Sequence, residues 1–180
     1  MELFDIVDEN GEPTGVIKPR NIVHGNGDLH RTSHVWVVRE NNKSGLDVLL
    51  QKRSENKDSF PGCFDISSAG HIPAGEGYVD SALRELEEEI GIKATSGELE
   101  ECCIRRISNE NIFHGKLFID NQVTRVYRLK RNNLKLEDLH LQKEEVECVI
   151  WMDYQECLKA VKNNTIKHCI YLEELEKIFF

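Results

Sequence analysis

In the first third of the chain, short apolar runs alternate with clusters of Gly, Asn, Asp and Pro, the pattern of strands joined by turns. Leu3 to Val7 reads as a strand that ends at Asp8-Glu9-Asn10-Gly11, and Thr14 to Lys18 reads as its hairpin partner. A polar loop, His24-Gly25-Asn26-Gly27-Asp28, leads to a strong strand, Ser33 to Arg39. A turn over Asn41 to Gly45 then leads to another strand, Asp47 to Arg53. Phe60-Pro61-Gly62 interrupts the pattern, and Phe64 to Ser68 is a short strand before a Gly/Pro-rich loop, Gly70 to Gly77. At Val79 the period changes. Val79, Leu83, Leu86 and Ile90 fall within about 60° of one another at about 100° per residue, which predicts one buried stripe on a helix from Val79 to Ile90. Gly91 sits where a C-terminal helix glycine belongs, and Asp80 and Ser81 offer N-terminal capping chemistry. Strand-like runs return at Cys103 to Ile107, Ile112 to Ile119, Val123 to Leu129 and Val146 to Trp151. Two helical patterns close the chain, Tyr154 to Lys162 and Ile166 to Ile178. Many strands and few helices, without strict βαβ alternation, predict the α/β class with a mixed sheet. No repeat or Pro/Ser-rich linker divides the 180 residues, so residues 1–180 are expected to form one domain.

On the helix from Val79 to Ile90, Glu85, Glu88 and Glu89 stand at i, i+3 and i+4 and are predicted to project together, away from the apolar stripe. Like charges at these spacings repel by a few tenths of a kcal/mol per pair, roughly. Such a triplet is either a solvated acidic face or an oxygen cage for a hard cation such as Mg²⁺.

Its surroundings decide between these. Gly70, five residues, Glu76, seven residues, then Arg84-Glu85-Leu86-Glu87-Glu88-Glu89-Ile90-Gly91-Ile92 resembles the signature box of the Nudix hydrolases, GX5EX7REUXEEXGU with U aliphatic, at all nine specified positions. The resemblance implies the Nudix fold, a mixed sheet sandwiched between helices, and hydrolysis of a diphosphate bond. Gly70 through its carbonyl, with Glu85, Glu88 and Glu89, would hold Mg²⁺, with Mn²⁺ as a substitute. Arg84 would hold a neighbouring Glu in one rotamer. The base would be Glu85 or a Glu from a distant loop, Glu144 or Glu145.

Outside the box, Leu3 to Asp153 is similar to the branch that includes the type I isopentenyl-diphosphate isomerases and their hydrolase relatives. The carriers are Gly15-Val16-Ile17-Lys18, His24 to Arg31, Ser33-His34-Val35-Trp36-Val37, Gln51-Lys52-Arg53-Ser54, Phe60-Pro61-Gly62 and Phe64-Asp65-Ile66-Ser67. Two activities compete: cleavage with water, and proton movement across a double bond. The isomerase pattern needs a cysteine where this chain has Ala69, and a second glutamate where Asp120-Asn121-Gln122 has an amide. An amide cannot exchange a proton at useful pKa, so the hydrolase is favoured and isomerase is the alternative. A nucleotide sensor without catalysis is a third reading, against which the intact acids argue. By the same resemblance, Arg20, Arg53 and Lys57 lie in diphosphate-binding segments, and His24, His30 and His71 lie near a second metal site; the bland reading is that the histidines orient phosphate or loop. Trp36 and Trp151 are expected to pack in the core, and Cys63 to be a buried thiol.

Charge changes the picture in one respect. Lys plus Arg is 23 and Asp plus Glu is 32, a net charge of −9. This excludes non-specific nucleic-acid or anionic-membrane binding, but not a small anion, because a bound divalent ion inverts the local field. The partner is therefore a small-molecule diphosphate. The polar start, Met1 to Asn10, does not read as a signal peptide, and no apolar run approaches about 18 residues, so neither secretion nor a membrane span is expected. The six cysteines contain no CxxC pair, which predicts free thiols in a cytoplasmic protein. The apolar end, Ile178-Phe179-Phe180, suits docking on the core or on a second copy in a homodimer.

Overall fold

The computed structural model describes residues 2–57, 59–113 and 115–179. Strands β1 (Leu3–Val7) and β2 (Pro13–Pro19) pair antiparallel as a separate hairpin. Its turn is closed by the Asp8 carboxylate, which accepts from the backbone N–H groups of Asn10 and Glu12 at 2.8 and 3.0 Å. Helix α1 (Arg20–Asn26) follows, so the stretch expected as a polar loop from His24 is instead mostly helix. Gly27 ends the helix at φ +70°, and a Cβ there would lie 2.9 Å from Ile119 Cγ2. Only glycine accepts both constraints, and the closure lets α1 rest on the sheet.

The main sheet contains β3 (His30–Asn41), β4 (Gly45–Arg53), β5 (Phe64–Asp65), β6 (Ser68–His71), β7 (Leu99–Phe113), β8 (Lys116–Lys130) and β9 (Val146–Asp153). Its order is β5-β4-β3-β8-β7, with β6 on the first half of β3 and β9 on β4. The β3–β8 pair is parallel and the others are antiparallel, which makes the sheet mixed, as expected. The run from Ile112 to Ile119, expected to be one strand, straddles the β7–β8 hairpin, where Gly115 adopts φ +74°. One glycine between apolar residues was too weak a turn signal. Phe64 to Ser68 is likewise split between β5 and β6, and Gly70 and His71 belong to β6 rather than to the loop.

Both sheet faces are buried. Val35 and Val37 pack with Leu49, Tyr127 and Leu129 against Ala82, Leu86 and Ile90 of helix α2 (Tyr78–Ile90). Trp36 and Val38, one step out of phase, face the other way with Val48, Leu50 and Val126. They meet Tyr154, Cys157 and Val161 of helix α3 (Tyr154–Lys162), and Leu175 and Ile178 from the C-terminal strap. Each fully buried side chain of this size stabilises by about 1.5–3 kcal/mol. α3 starts where Asp153 accepts from the N–H groups of Gln155 and Glu156. α2 has no such side-chain cap: Gly77 is its N-cap, and Ser81, expected to cap, donates to Glu76 instead.

The C-terminal pattern, Ile166 to Ile178, is helical only at α4 (Leu172–Leu175). Before it the chain runs extended beside β5: Phe64 N–H donates to the Lys167 carbonyl at 2.8 Å, and Cys169 N–H to the Phe64 carbonyl at 3.0 Å. The two-residue edge strand needed backbone partners, and that tertiary demand overrode the local helical period. Trp36 is fully buried as expected and Trp151 is half-buried, with the Arg39 guanidinium 4.5 Å over its ring. Cys63 is buried, and all six cysteines are free.

Candidate metal and diphosphate site

Gly70 is what allows β6 and α2 to touch: a Cβ there would lie 2.3 Å from Glu85 Cγ. α2 is docked through Ala82, Leu86 and Ile90, while Val79 and Leu83 are only half-buried at the rim. This rotation corrects the expected direction of the acids. Glu88 is exposed and Glu85 is half-buried, but Glu89 is only 8% exposed and accepts a hydrogen bond from Gln51 Nε2 at 3.1 Å. Glu89 stands about 60° from Leu86 around the helix, and the buried face is wider than the apolar stripe.

The Arg84 guanidinium binds three carboxylates: Glu85 at 2.8 Å, Glu88 at 3.2 Å and Glu76 at 3.6 Å. One cation among Glu76, Glu85, Glu88 and Glu89 leaves an excess of negative charge. Burial, and then the charge of Glu85, push Glu89 up to about 7. Burial also raises Glu85, against the pull of Arg84. These are oxygen donors short of positive charge, which suits a hard divalent cation.

Three basic residues stand around the acids. Lys57 is ion-paired with Glu145. Burial and the nearby charge of Arg53 lower its pKa, while Glu89 raises it. Arg53 binds Asp65 at 3.1 Å and the Ser59 carbonyl, and Arg20 binds Glu2 at 2.8 Å. Arg20 is near enough to depress Lys57, His24, His30 and His71 electrostatically. The structure therefore groups the expected bases, each held by an acid. Glu145 is beside Lys57, and Glu144 is exposed.

A second cluster lies on the opposite face of the same strands. His24 from α1, His30 from β3, His71 from β6 and Asp120 from β8 bring one ligand atom each to within 4.8 Å of one another. His30 Nδ1 donates to the Asp28 carbonyl at 2.9 Å, and Ile119 O lies 3.2 Å from His24 Nδ1. The Nε2 atoms of His24, His30 and His71 are buried without a hydrogen-bond partner. Burial holds His24 and His30 down at about 4 and His71 well below its ordinary value, so all three are neutral with free lone pairs. Burial lifts Asp120 to about 6, and Gln122 Nε2 holds it at 2.8 Å. The Phe4 ring stacks on His30 and His71 at 5.4 and 5.0 Å between centroids. Three imidazoles and one carboxylate are a transition-metal donor set, and orphaned buried nitrogens fit it. Sequence reasoning placed the histidines but missed Asp120 as their carboxylate; its position two residues before Gln122 was the available signal.

A mixed sheet between helices thus carries the complete acidic box on α2 and the adjoining strand β6. The chain belongs to the NUDIX domain family, whose pattern matches residues 29–171. It is 44% identical over 156 residues to Nudix hydrolase 3 of Arabidopsis thaliana, covering 86% of this chain and 20% of that protein, so it spans about a fifth of the plant protein. It is 37% identical over 162 residues to an uncharacterized Nudix hydrolase of Clostridium acetobutylicum, covering 90% of this chain and 75% of that one. The crystal structure of DR0079 from Deinococcus radiodurans superposes with a TM-score of 0.74 at 15% identity, covering 99% of this chain and 100% of that one.

Proposed function

We propose that this domain is a Mg²⁺-dependent hydrolase, with Mn²⁺ as a substitute, that cleaves the diphosphate bond of a small nucleoside-diphosphate-type molecule. The observation that carries this is the meeting of Glu76, Glu85 and Glu88 around a single guanidinium, with Glu89 on the same helix buried and short of positive charge. Glu85, Glu88 and Glu89, with the Gly70 carbonyl, would hold the cation, which supplies charge stabilisation and a more acidic water. Arg84 fixes Glu85 and Glu88. Gln51 fixes Glu89. Lys57 and Arg53 exchange their acids for diphosphate oxygens and orient the reacting phosphorus, with Arg20 and His71 at its far side. Water attacks one phosphorus and gives its proton to a carboxylate, while the bond from that phosphorus to the bridging oxygen breaks and the other phosphate leaves with that oxygen. Glu85 and Glu145 are the candidates, and the position of Glu145 beside Lys57 favours it over exposed Glu144.

His24, His30, His71 and Asp120 would hold a second, softer divalent ion, a reading favoured by their three partnerless Nε2 atoms. The isomerase alternative is disfavoured by Ala69 and by Gln122, whose amide is already engaged: its Nε2 donates to Asp120 and its Oε1 accepts from Thr32 at 3.3 Å. Among the described residues no helix is long and apolar enough to cross a membrane. The acidic charge and free thiols suit a cytoplasmic enzyme with a small-molecule substrate. The test is a screen of diphosphate compounds with Mg²⁺ and Mn²⁺, isopentenyl diphosphate included, scoring phosphate, monophosphate and dimethylallyl diphosphate. Metal-dependent monophosphate release from a nucleoside diphosphate derivative is expected. No hydrolysis of any compound, or efficient formation of dimethylallyl diphosphate, would overturn the reading.

A further inference from the structure

The main sheet ends at β7, a strand of 15 residues that pairs with β8 on one side only. Among the described residues no backbone hydrogen bond reaches its outer edge. β3 begins at His30, opposite Gln122, and Gln122 lies opposite Ile107, so from Ser108 to Phe113 the β7–β8 hairpin runs on as a ribbon without β3 beside it. Helix α1 supports the β8 side of this ribbon, where Asn121 Nδ2 donates to the Gly27 carbonyl at 3.0 Å. The β7 side has no such backbone partner. A two-stranded ribbon is marginal by itself, and an open edge of this length is a template for another strand.

Exposure alternates along the edge. Arg105 and Asn109 reach back to the C-terminal strap, where they donate to Glu174 and to the Tyr171 hydroxyl. On the other face Ile104 is 53% exposed and Ile112 75%, with Arg106, Ser108 and Glu110 exposed between them. Ile104 and Ile112 stand about 26 Å apart along the strand, at about 3.3 Å per residue, so neither covers the other within one chain. Glu9, itself exposed, is the acid that Arg106 binds, and Glu110 has no polar partner among the described residues. Antiparallel pairing with the same strand of a second copy, about a two-fold axis at Ser108, sets Ile104 opposite Ile112 of that copy and Arg106 opposite its Glu110. The axis makes each pair twice. Leu117, 52% exposed, is the neighbour of Ile112 on β8 and extends each apolar pair to a third residue. The ribbon half of each copy then lies along the sheet-backed half of the other.

We infer that the outer edge of β7 is a self-association surface, on which two copies of this chain join their sheets antiparallel about Ser108. None of its residues belongs to the metal and diphosphate site, so the inference does not rest on the proposed activity. A register centred on Cys103 would also set acids opposite arginines, Glu100 against Arg106 and Glu101 against Arg105. It is disfavoured because the strand is bulged between Glu101 and Cys103, and because Arg128 holds Glu100, Arg125 holds Glu101 and Glu174 holds Arg105. On the strap side, a groove of about 400 Å³ runs beside the edge, lined by Ile104, Arg105, Arg106, Glu173, Glu176 and Lys177. Asn111 of the second copy, opposite Arg105 in the Ser108 register, enters it. Main-chain hydrogen bonds supply the affinity, and the two isoleucine pairs and two ion pairs select the register.

The experiment is sedimentation velocity on the intact chain over a concentration series, with reductant so that no thiol link contributes. A reversible dimer with a micromolar dissociation constant is expected, the strength of a small interface. Ile112→Asp and Ile104→Lys each set a charge against an isoleucine at two symmetry-related places, and each should weaken the dimer about 10-fold or more. Combined in one chain, they place Lys against Asp in the same register and should restore association to within about 3-fold of the intact protein. Arg106→Glu and Glu110→Arg should behave alike, weaker singly and restored together, and serve if the isoleucine variants fail to fold. All four side chains are exposed, and thermal melts of the dilute monomers should be nearly unchanged. A chain that stays monomeric at about 1 mM leaves the edge to another partner and overturns the inference. A dimer indifferent to the single substitutions uses another face, and a double variant weakened by the sum of its parts uses another register; either result overturns it as well.

Discussion

His30 and His34 stand on the same face of one strand, both nearly buried, yet their protonation is pushed in opposite directions: His30 down to about 4, His34 upward. The difference is the carboxylate each one meets. His34 has Glu174, kept ionised by His34 itself, Trp36 and Arg105. The cluster of His24, His30 and His71 has only Asp120, which burial itself lifts to about 6. One region is charged, complementary and closed upon itself. The other is neutral and leaves three nitrogen lone pairs without partners, and the box acids on the far side of the sheet share that incompleteness. Regions of the first kind stabilise the protein and regions of the second kind await a ligand. Substitutions should separate the two.

The largest effect is expected at the incomplete site. Glu89→Gln should lower kcat/KM by about 100-fold or more in steady-state assays with Mg²⁺, because the buried oxygen donor is lost. It should leave the melting temperature of the metal-free protein unchanged or higher, since an ionised Glu89 is a cost to the empty fold. Full activity, or a large drop in stability, would place Glu89 with the self-satisfied groups instead.

Next is the closed region. Glu174→Ala leaves His34 and Arg105 under the strap without their counter-charge and removes the acceptor of Trp36. Breaking a buried pair from one side costs about 3–5 kcal/mol. At about 2–4 °C per kcal/mol for a chain of this size, a thermal melt should shift down by roughly 6–20 °C. A shift of about 1 °C would mean that the strap is held by Leu175 and Ile178 alone.

The contrast between the regions also explains what was legible in the sequence. The box is local: Gly70 to Ile92 fixes its own spacing, and the helix and its glycine end follow from periodicity. The rotation of that helix was not legible, because Gln51 on β4 draws Glu89 inward and no pattern within the helix records β4. Asp120 joins three histidines from three other elements, so its role appears only once β8 lies beside β3. Glu174 meets His34 across 140 residues. The strap that carries it looked helical because a helical period and an extended strand beside β5 can use the same apolar residues, and only the open edge of β5 chooses between them.

The smallest effect is in pH, and its sign differs between the regions. His24 and His30 titrate near 4 in the fold and near 6.5 when unfolded, so between these values the unfolded chain binds more protons. Their contribution to stability is full above about pH 6.5 and is lost as the pH falls toward 4. His34 is raised, so its contribution is full below about 6.5 and is lost as the pH rises through its folded value. Each histidine can account for at most about 1.4 kcal/mol per pH unit within its window, which for His24 or His30 is about 2 kcal/mol from pH 6.5 to 5. Urea melts of the metal-free protein at pH 5, 6.5 and 8 should therefore show that His24→Gln weakens the loss on acidification. His34→Gln should leave that loss nearly unchanged and instead weaken the loss of stability between pH 6.5 and 8, the side on which a raised group releases its proton. An effect of both variants on the same side of pH 6.5 would show that the two histidines meet equivalent surroundings, and the distinction between a closed and a ligand-awaiting region would fail at its own strand.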